Sequence, residues 1–246
     1  MKSRSIACLS GLICLTLCAQ ADYVYFNRNT QATLIDTDRY RTGQPEEIVH
    51  RVPAAIATHI FNQPVHYLEP LSRFLTSETD DELLKAKIIH DWICLHIRYD
   101  VSGYDSANIQ IVDPYVTLRT RRAVCGGYAT LFNVMARISG LESEYISGYT
   151  KGYSKYNFDH SNLSAHAWNA VGVKGNWYLL DVTWNSGFVQ QSQFVYRYST
   201  DHLFPDPAVF VSSHFPKAPG WLLTEQEVTV EAFKKSLHTR KPDTNR

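Results

Sequence analysis

Cysteine is scarce in this chain, and neither sign of charge is in excess. Five of the 246 residues are cysteine, and Lys+Arg 24 offset Asp+Glu 24 for a formal net charge of zero. No segment gathers like charges into a stripe, so composition gives no argument for a nucleic-acid partner. No apolar run reaches the roughly 20 residues that a membrane-spanning helix needs. Internal repeats and low-complexity tracts are also missing, which excludes solenoid and fibrous classes. Beyond residue 21 there is no Cys-x-x-Cys and no His-Glu-x-x-His, and His90 and His96 are spaced too far apart to share a helix face as a metal pair. No metal and no cofactor is expected.

What is present suits a globular domain, with 44% hydrophobic and 13% aromatic residues. Lys2 and Arg4 precede an apolar run from Ile6 to Cys18, followed by Ala19-Gln20-Ala21. That order of charged, apolar and small residues is the layout of a cleavable export leader. Cleavage is expected after Ala21, with the mature chain periplasmic or secreted. Leu17 is a poor residue to precede a lipidated Cys18, so simple export is expected rather than lipid anchoring. Loss of Lys2 and Arg4 leaves 22 basic against 24 acidic residues, a balance of −2.

The leader also removes Cys8, Cys14 and Cys18, leaving Cys94 and Cys125. Two cysteines are too few for a disulfide scaffold, so the core must hold the fold. A thiol kept in an oxidising compartment is either buried and inert or retained for its reactivity. Cys94, inside an apolar helix, reads as a buried small hydrophobe. Cys125 reads as the reactive one. A Cys94–Cys125 disulfide that silences the thiol is the alternative.

Four segments are expected: the leader over 1–21, an N-terminal extension packed on the core over 22–77, a catalytic domain over 78–223, and a C-terminal segment over 224–246 with a frayed tail. A helix is plausible between Pro45 and Phe61. Leu84, Ile88 and Trp92, beside Ile89 and Ile93, predict a strong helix over 81–97, with Thr79-x-x-Glu82 offering a capping box. Ala129, Phe132, Met135 and Ile138 recur at helical spacing behind Cys125, and Gly140 is suited to end that run. Strands are predicted over 144–149, 165–173 and 177–184, the last two joined by Lys174-Gly175-Asn176. Helices first and antiparallel strands second indicate an α+β domain rather than an alternating fold.

A thiol at a helix N-terminus lies near unsatisfied N–H groups and the positive end of the helix dipole, which favour thiolate. Gly126 and Gly127 let a substrate backbone approach, and the Cys125 N–H could serve an oxyanion. With a two-residue turn at Lys174-Gly175, residue 168 lies opposite 181, and His166, Trp168, Asp181 and Thr183 share one face. Moving the turn to Gly175-Asn176 keeps that parity; a three-residue loop breaks it. Asp181 would then hold one imidazole nitrogen while the other faces the thiol as general base. Each residue also has a plain structural reading, as a core histidine, a strand-end carboxylate or a buried thiol. His160 reads as a solvated loop histidine, and Trp168, Trp177 and Trp184 as core or cleft-wall aromatics.

The runs Arg122-Ala-Val-Cys125-Gly-Gly-Tyr128-Ala-x-Leu131-Phe132, His166-Ala-Trp168-Asn169 and Trp177-Tyr-Leu-Leu-Asp181-Val-Thr-Trp184 resemble the transglutaminase-like superfamily, in its kyphoscoliosis-peptidase and cytokinesis-protein branch. His90-Asp-Trp-Ile93, Ile97-Arg-Tyr99-Asp100, Ser213-His-Phe-Pro216 and Trp221-Leu-Leu223 extend the likeness over about residues 78–223. Ala123 stands where that branch has glycine. The resemblance implies a papain-like fold, with the cysteine helix packed on a small antiparallel sheet, and a Cys125–His166–Asp181 triad. It implies a peptide or protein substrate resolved through a thioester, by a peptidase or amide hydrolase, a crosslinker, or a non-catalytic relative that binds only. Trp92, Tyr99 and Tyr128, with Gly126, Gly127 and Trp168, are the candidate lining of the site.

Overall fold

The computed structural model describes residues 28–29, 34–105, 112–151, 163–225 and 228–235. The expected leader, His160 and the C-terminal tail from residue 236 lie outside the described residues. No helix among the described residues is long and apolar enough to cross a membrane.

Two long helices and one sheet build the core. The helix Glu82–His96 is buried on nearly every side between Ala86 and Cys94, which is why three polar residues in it, Lys87, His90 and Asp91, are fully buried. Its start is capped by Asp81, whose Oδ1 accepts from the Leu83 and Leu84 N–H groups at 3.1 and 3.2 Å. This corrects the capping box: Thr79 instead accepts from the Asp81 N–H at 3.1 Å. The helix Cys125–Ile138 buries Ala129, Phe132 and Met135, and Gly140 follows it at φ +80, the left-handed turn that favours glycine.

That helix packs on a four-stranded antiparallel sheet, ordered Asn176–Leu180, Ser164–Val173, Glu142–Thr150, His214–Pro216. Asn169 fastens the two layers by donating to the Ala129 carbonyl at 3.0 Å. Val171 and Val173 face the main core with the helices, whereas Trp168 and Ala170 face a second cluster with Ile146, Leu179, Phe210 and Leu223. The architecture is α+β, with the Cys125 helix against a small antiparallel sheet.

Two local expectations need correction, and two helices were not anticipated. No single helix spans 45–61; a 3-10 turn at Glu47–His50 and one helical turn at Ala54–Ala57 are separated by Pro53, which disfavours helical backbone at the residue before it. Pro64–Leu75 is a helix despite Pro70 inside it, and Pro114–Thr120 is another, capped by Asp113. The strand predicted over 177–184 stops at Leu180: Asp181 accepts from the Thr183 and Trp184 N–H groups and caps a short helix, Val182–Ser186. Thr183 therefore leaves the sheet, and the extended reading failed because an Asp ahead of Val-Thr-Trp is an N-cap as readily as a strand residue.

Gly148 marks where the sheet admits the site. It lies opposite His166 on one side and Pro216 on the other, and the Trp168 ring crosses over it. A Cβ there would press on the Trp168 ring and the Phe215 carbonyl oxygen more closely than real Cβ atoms come. Gly148→Ala is expected to cost about 1–3 kcal/mol, the usual range for overpacking. Urea unfolding checks this, and an unchanged midpoint refutes it.

Candidate functional site

Four elements meet at one buried carboxylate. The hairpin register is the first requirement: Val173 pairs with Asn176 and Asn169 with Leu180, so the turn is the two residues Lys174 and Gly175, both at positive φ. Continued past Leu180, that register sets residue 181 opposite Trp168. His166 Nε2 lies 2.7 Å from Asp181 Oδ2. The other imidazole nitrogen is thereby left for Cys125, whose thiol the His166 charge lowers.

Cys125 begins its helix and is half-buried. Four other helices of this chain begin at an aspartate cap: Asp81, Asp113, Asp181 and Asp206. The residue before Cys125 is Val124, which makes no side-chain capping bond. The first-turn N–H groups beside the thiol are thus not claimed by a capping side chain, and the first turn itself carries no acidic residue. Burial pushes the Cys125 thiol up, but the His166 charge, its hydrogen bond and a backbone hydrogen bond from Ala167 outweigh burial and hold it below its ordinary value.

The imidazole is shifted the opposite way. Burial disfavours the charged His166, yet Asp181 and the Cys125 thiolate bring it up to about 10. Burial likewise disfavours the charged Asp181, and His166 and His214 together hold it well below the carboxylate range. Each charge thus favours the other: the imidazolium lowers the thiol, and the thiolate raises the imidazole.

Asp181 has a second imidazole partner that sequence reasoning did not assign to the site. His214, fully buried at the sheet edge, places Nε2 3.1 Å from the same Oδ2. It stood in the sequence only as part of Ser213-His-Phe-Pro216, and no local spacing ties it to residue 181. Sheet pairing brings it in, with Thr150 opposite His214 and Gly148 opposite His166 on the intervening strand. His166, Asp181 and His214 also form the one group of three potential metal ligands among the described residues, within 4.8 Å of one another. The two hydrogen bonds to Oδ2 account for that closeness.

The remaining candidates divide. Trp168 flanks His166, ring centroids 6.2 Å apart, and Gly126 is buried beside Cys125 with Val112 and the Tyr145 hydroxyl near its Cα. Tyr99 is half-buried and faces Phe194 at 6.5 Å, on the strand Gln193–Tyr196. Trp92, Gly127 and Tyr128 are buried in the protein interior. Trp92 stacks on Phe61 and His96, and the Tyr128 hydroxyl donates to the Ile97 carbonyl at 2.8 Å. Cys94 is buried, a free thiol like Cys125, and burial pushes it well up.

Residues 69–182 match the family model described as the transglutaminase-like superfamily. The chain is 35% identical over 174 residues to the kyphoscoliosis peptidase of Mus musculus, covering 70% of this chain and 26% of that protein. It is 24% identical over 199 residues to hillarin of Drosophila melanogaster, covering 73% of this chain and 23% of that protein. The chain thus spans about a quarter of the length of these relatives. A solved structure titled as that of a TGase is similar at 20% identity and a TM-score of 0.40, over 56% of this chain and 35% of that one.

Proposed function

Residues 69–182 are a domain of the transglutaminase-like superfamily, on a papain-like α+β fold, and from that premise we propose that this protein is a cysteine-nucleophile acyl-transfer enzyme acting as a peptidase or amide hydrolase. The observation that carries the reading is the chain of contacts from Cys125 through His166 to Asp181, with thiol and imidazole displaced toward their charged forms. The Cys125 thiolate attacks an amide carbonyl, and the oxygen takes up negative charge near the first-turn N–H groups of the helix. His166 gives its proton to the departing amine, leaving a thioester on Cys125. Neutral His166 then takes a proton from water, whose oxygen attacks the thioester, and the acid leaves as the thiolate and imidazolium are restored. The leader expected at residues 1–21 supports action outside the cytoplasm.

Water and amines compete for the thioester, so the acceptor decides between hydrolase and crosslinker. A peptide-amide library incubated with and without monodansylcadaverine, read by mass spectrometry, is expected to give mainly acid product. Amine adducts in excess would move the assignment to a crosslinker. No Cys125-dependent turnover at all, with a Cys125 that alkylates like an ordinary thiol, would favour a module that binds without reacting.

A further inference from the structure

The second imidazole on Asp181 has no part in the acyl-transfer scheme. We propose that His214 is a positioning residue of this site: by donating its Nε2–H to Asp181 Oδ2, it holds the carboxylate in place and tempers its grip on the His166 proton. The catalytic meaning of this inference rests on the cysteine-nucleophile reading; its chemistry does not.

The hydrogen bonds around His214 define its tautomer. Asp181 is an acceptor, so Nε2 must carry the hydrogen to face Oδ2 at 3.1 Å. Nδ1 then accepts from the Ser213 hydroxyl at 2.8 Å. A flipped tautomer would set a lone pair against the carboxylate. Asp181 consequently receives four donors, with Thr183 and Trp184 N–H on Oδ1 and the two imidazoles on Oδ2. Both oxygens are fixed.

The enclosure decides which imidazole carries the charge. His214 stacks on Phe210 at 4.0 Å and meets Trp184 at 4.5 Å and Trp168 at 5.2 Å, with His202 and His166 at 5.7 and 5.6 Å. Apart from Asp181, the titratable groups facing it among the described residues are thus two further imidazoles. Burial pushes His214 down to about 4 against the pull of Asp181, and the His166 and His202 charges lower it further. Its neutral N–H supports the carboxylate without competing for the cation.

That support matters when His166 has given up its proton. A buried carboxylate that loses its imidazolium partner becomes more basic unless other donors hold it. Without His214, Asp181 would bind the imidazolium more tightly, and His166 would release its proton to the leaving amine less readily.

Histidine-selective nitrogen NMR titration of the full chain tests this, because it reads each imidazole without any substrate. In the wild type, His214 is expected to stay neutral, with its hydrogen on Nε2, from pH 5 to 9. His214→Phe, which keeps the aromatic bulk and removes the donor, is expected to raise the His166 midpoint by about one pH unit. His214→Gln, which retains a donor, is expected to restore most of the wild-type midpoint. A wild-type His214 that titrates as an ordinary imidazole, or a His166 midpoint unmoved in the Phe variant, overturns the proposal. Should the Phe variant fail to fold, Ser213→Ala removes the hydroxyl that selects the tautomer, and the same upward shift in smaller measure is expected; no shift there overturns it. A merely structural role would lower thermal stability and leave the His166 midpoint where it was. Iodoacetamide alkylation of Cys125 in parallel tests the cysteine reading separately, so either idea can fall alone.

Discussion

Replacing His166 by alanine is expected to slow alkylation of Cys125 at pH 6.5 by up to roughly 100-fold, because a thiol with an ordinary midpoint near ~8.5 is only about 1% thiolate there. Burial alone would raise the Cys125 thiol, and the largest opposing effects both come from His166, its charge and its hydrogen bond. Turnover, where a substrate is found, should fall by roughly 10²–10⁴-fold, the usual scale for a positioned acid–base group. Iodoacetamide labelling followed by mass spectrometry across pH checks the first figure. A profile that is the same in both proteins would show that the imidazole does not govern the thiol.

The same substitution should change how stability varies with pH. His166 is raised to about 10, so its contribution is complete below the unfolded midpoint of ~6.5 and is lost as pH rises toward 10. Asp181 is lowered, so its contribution is complete above the unfolded midpoint of ~3.9 and is lost as pH falls through its folded value. His214, lowered to about 4, opposes folding progressively as pH falls from ~6.5 to 4. His166→Ala should therefore flatten the alkaline decline in particular.

Asp91→Ala should lower folding stability by about 3–5 kcal/mol, the cost of removing a buried charge's nearer, fully buried partner. Lys87, fully buried, places Nζ 2.6 Å from Asp91 Oδ2, 3.0 Å from Glu46 Oε1 and 2.9 Å from the Gln44 carbonyl. Asp91 also accepts from the Glu46 N–H and the Tyr198 hydroxyl and is bonded to His90 Nδ1. The network reaches the candidate site: His90 Nε2 contacts Asn185 Nδ2 at 2.9 Å, and Asn185 lies in the helix that Asp181 caps. Glu46 and Gln44 belong to the segment ahead of the long helix, so this ion pair also ties the N-terminal residues down. Urea unfolding of the variant checks the magnitude; a loss under ~1 kcal/mol would mean that water reaches Lys87. Lys87→Met with Asp91→Leu, removing both charges, should recover most of the loss.

The motifs carried a good deal of this without coordinates. Cys125 at a helix start followed from the apolar spacing behind it, and the two-residue hairpin at Lys174-Gly175 is the register that lets His166 reach Asp181. Local rules suffice there because a hairpin links residues close in sequence, and its turn fixes which side chains share a face. They did not suffice for Lys87, His90 and Asp91, since helical period reports which positions are apolar, not which polar ones find partners elsewhere. They also misread residues 181–184, where Asp181 serves the short helix and the imidazole at once.

The cysteine at the helix start, then, was legible in the sequence, as was a hairpin at Lys174-Gly175-Asn176, whose register the structure selects. Tertiary structure decided the setting that holds the carboxylate. It decided that Val124 leaves the thiol's helix uncapped by any side chain, that Gly148 makes room for Trp168, and that His214 arrives from 33 residues beyond Asp181 to share its oxygen. The physical reason is range: a turn or a cap is set by neighbours along the chain, whereas a hydrogen bond between a strand edge and a helix cap forms only after the sheet has closed.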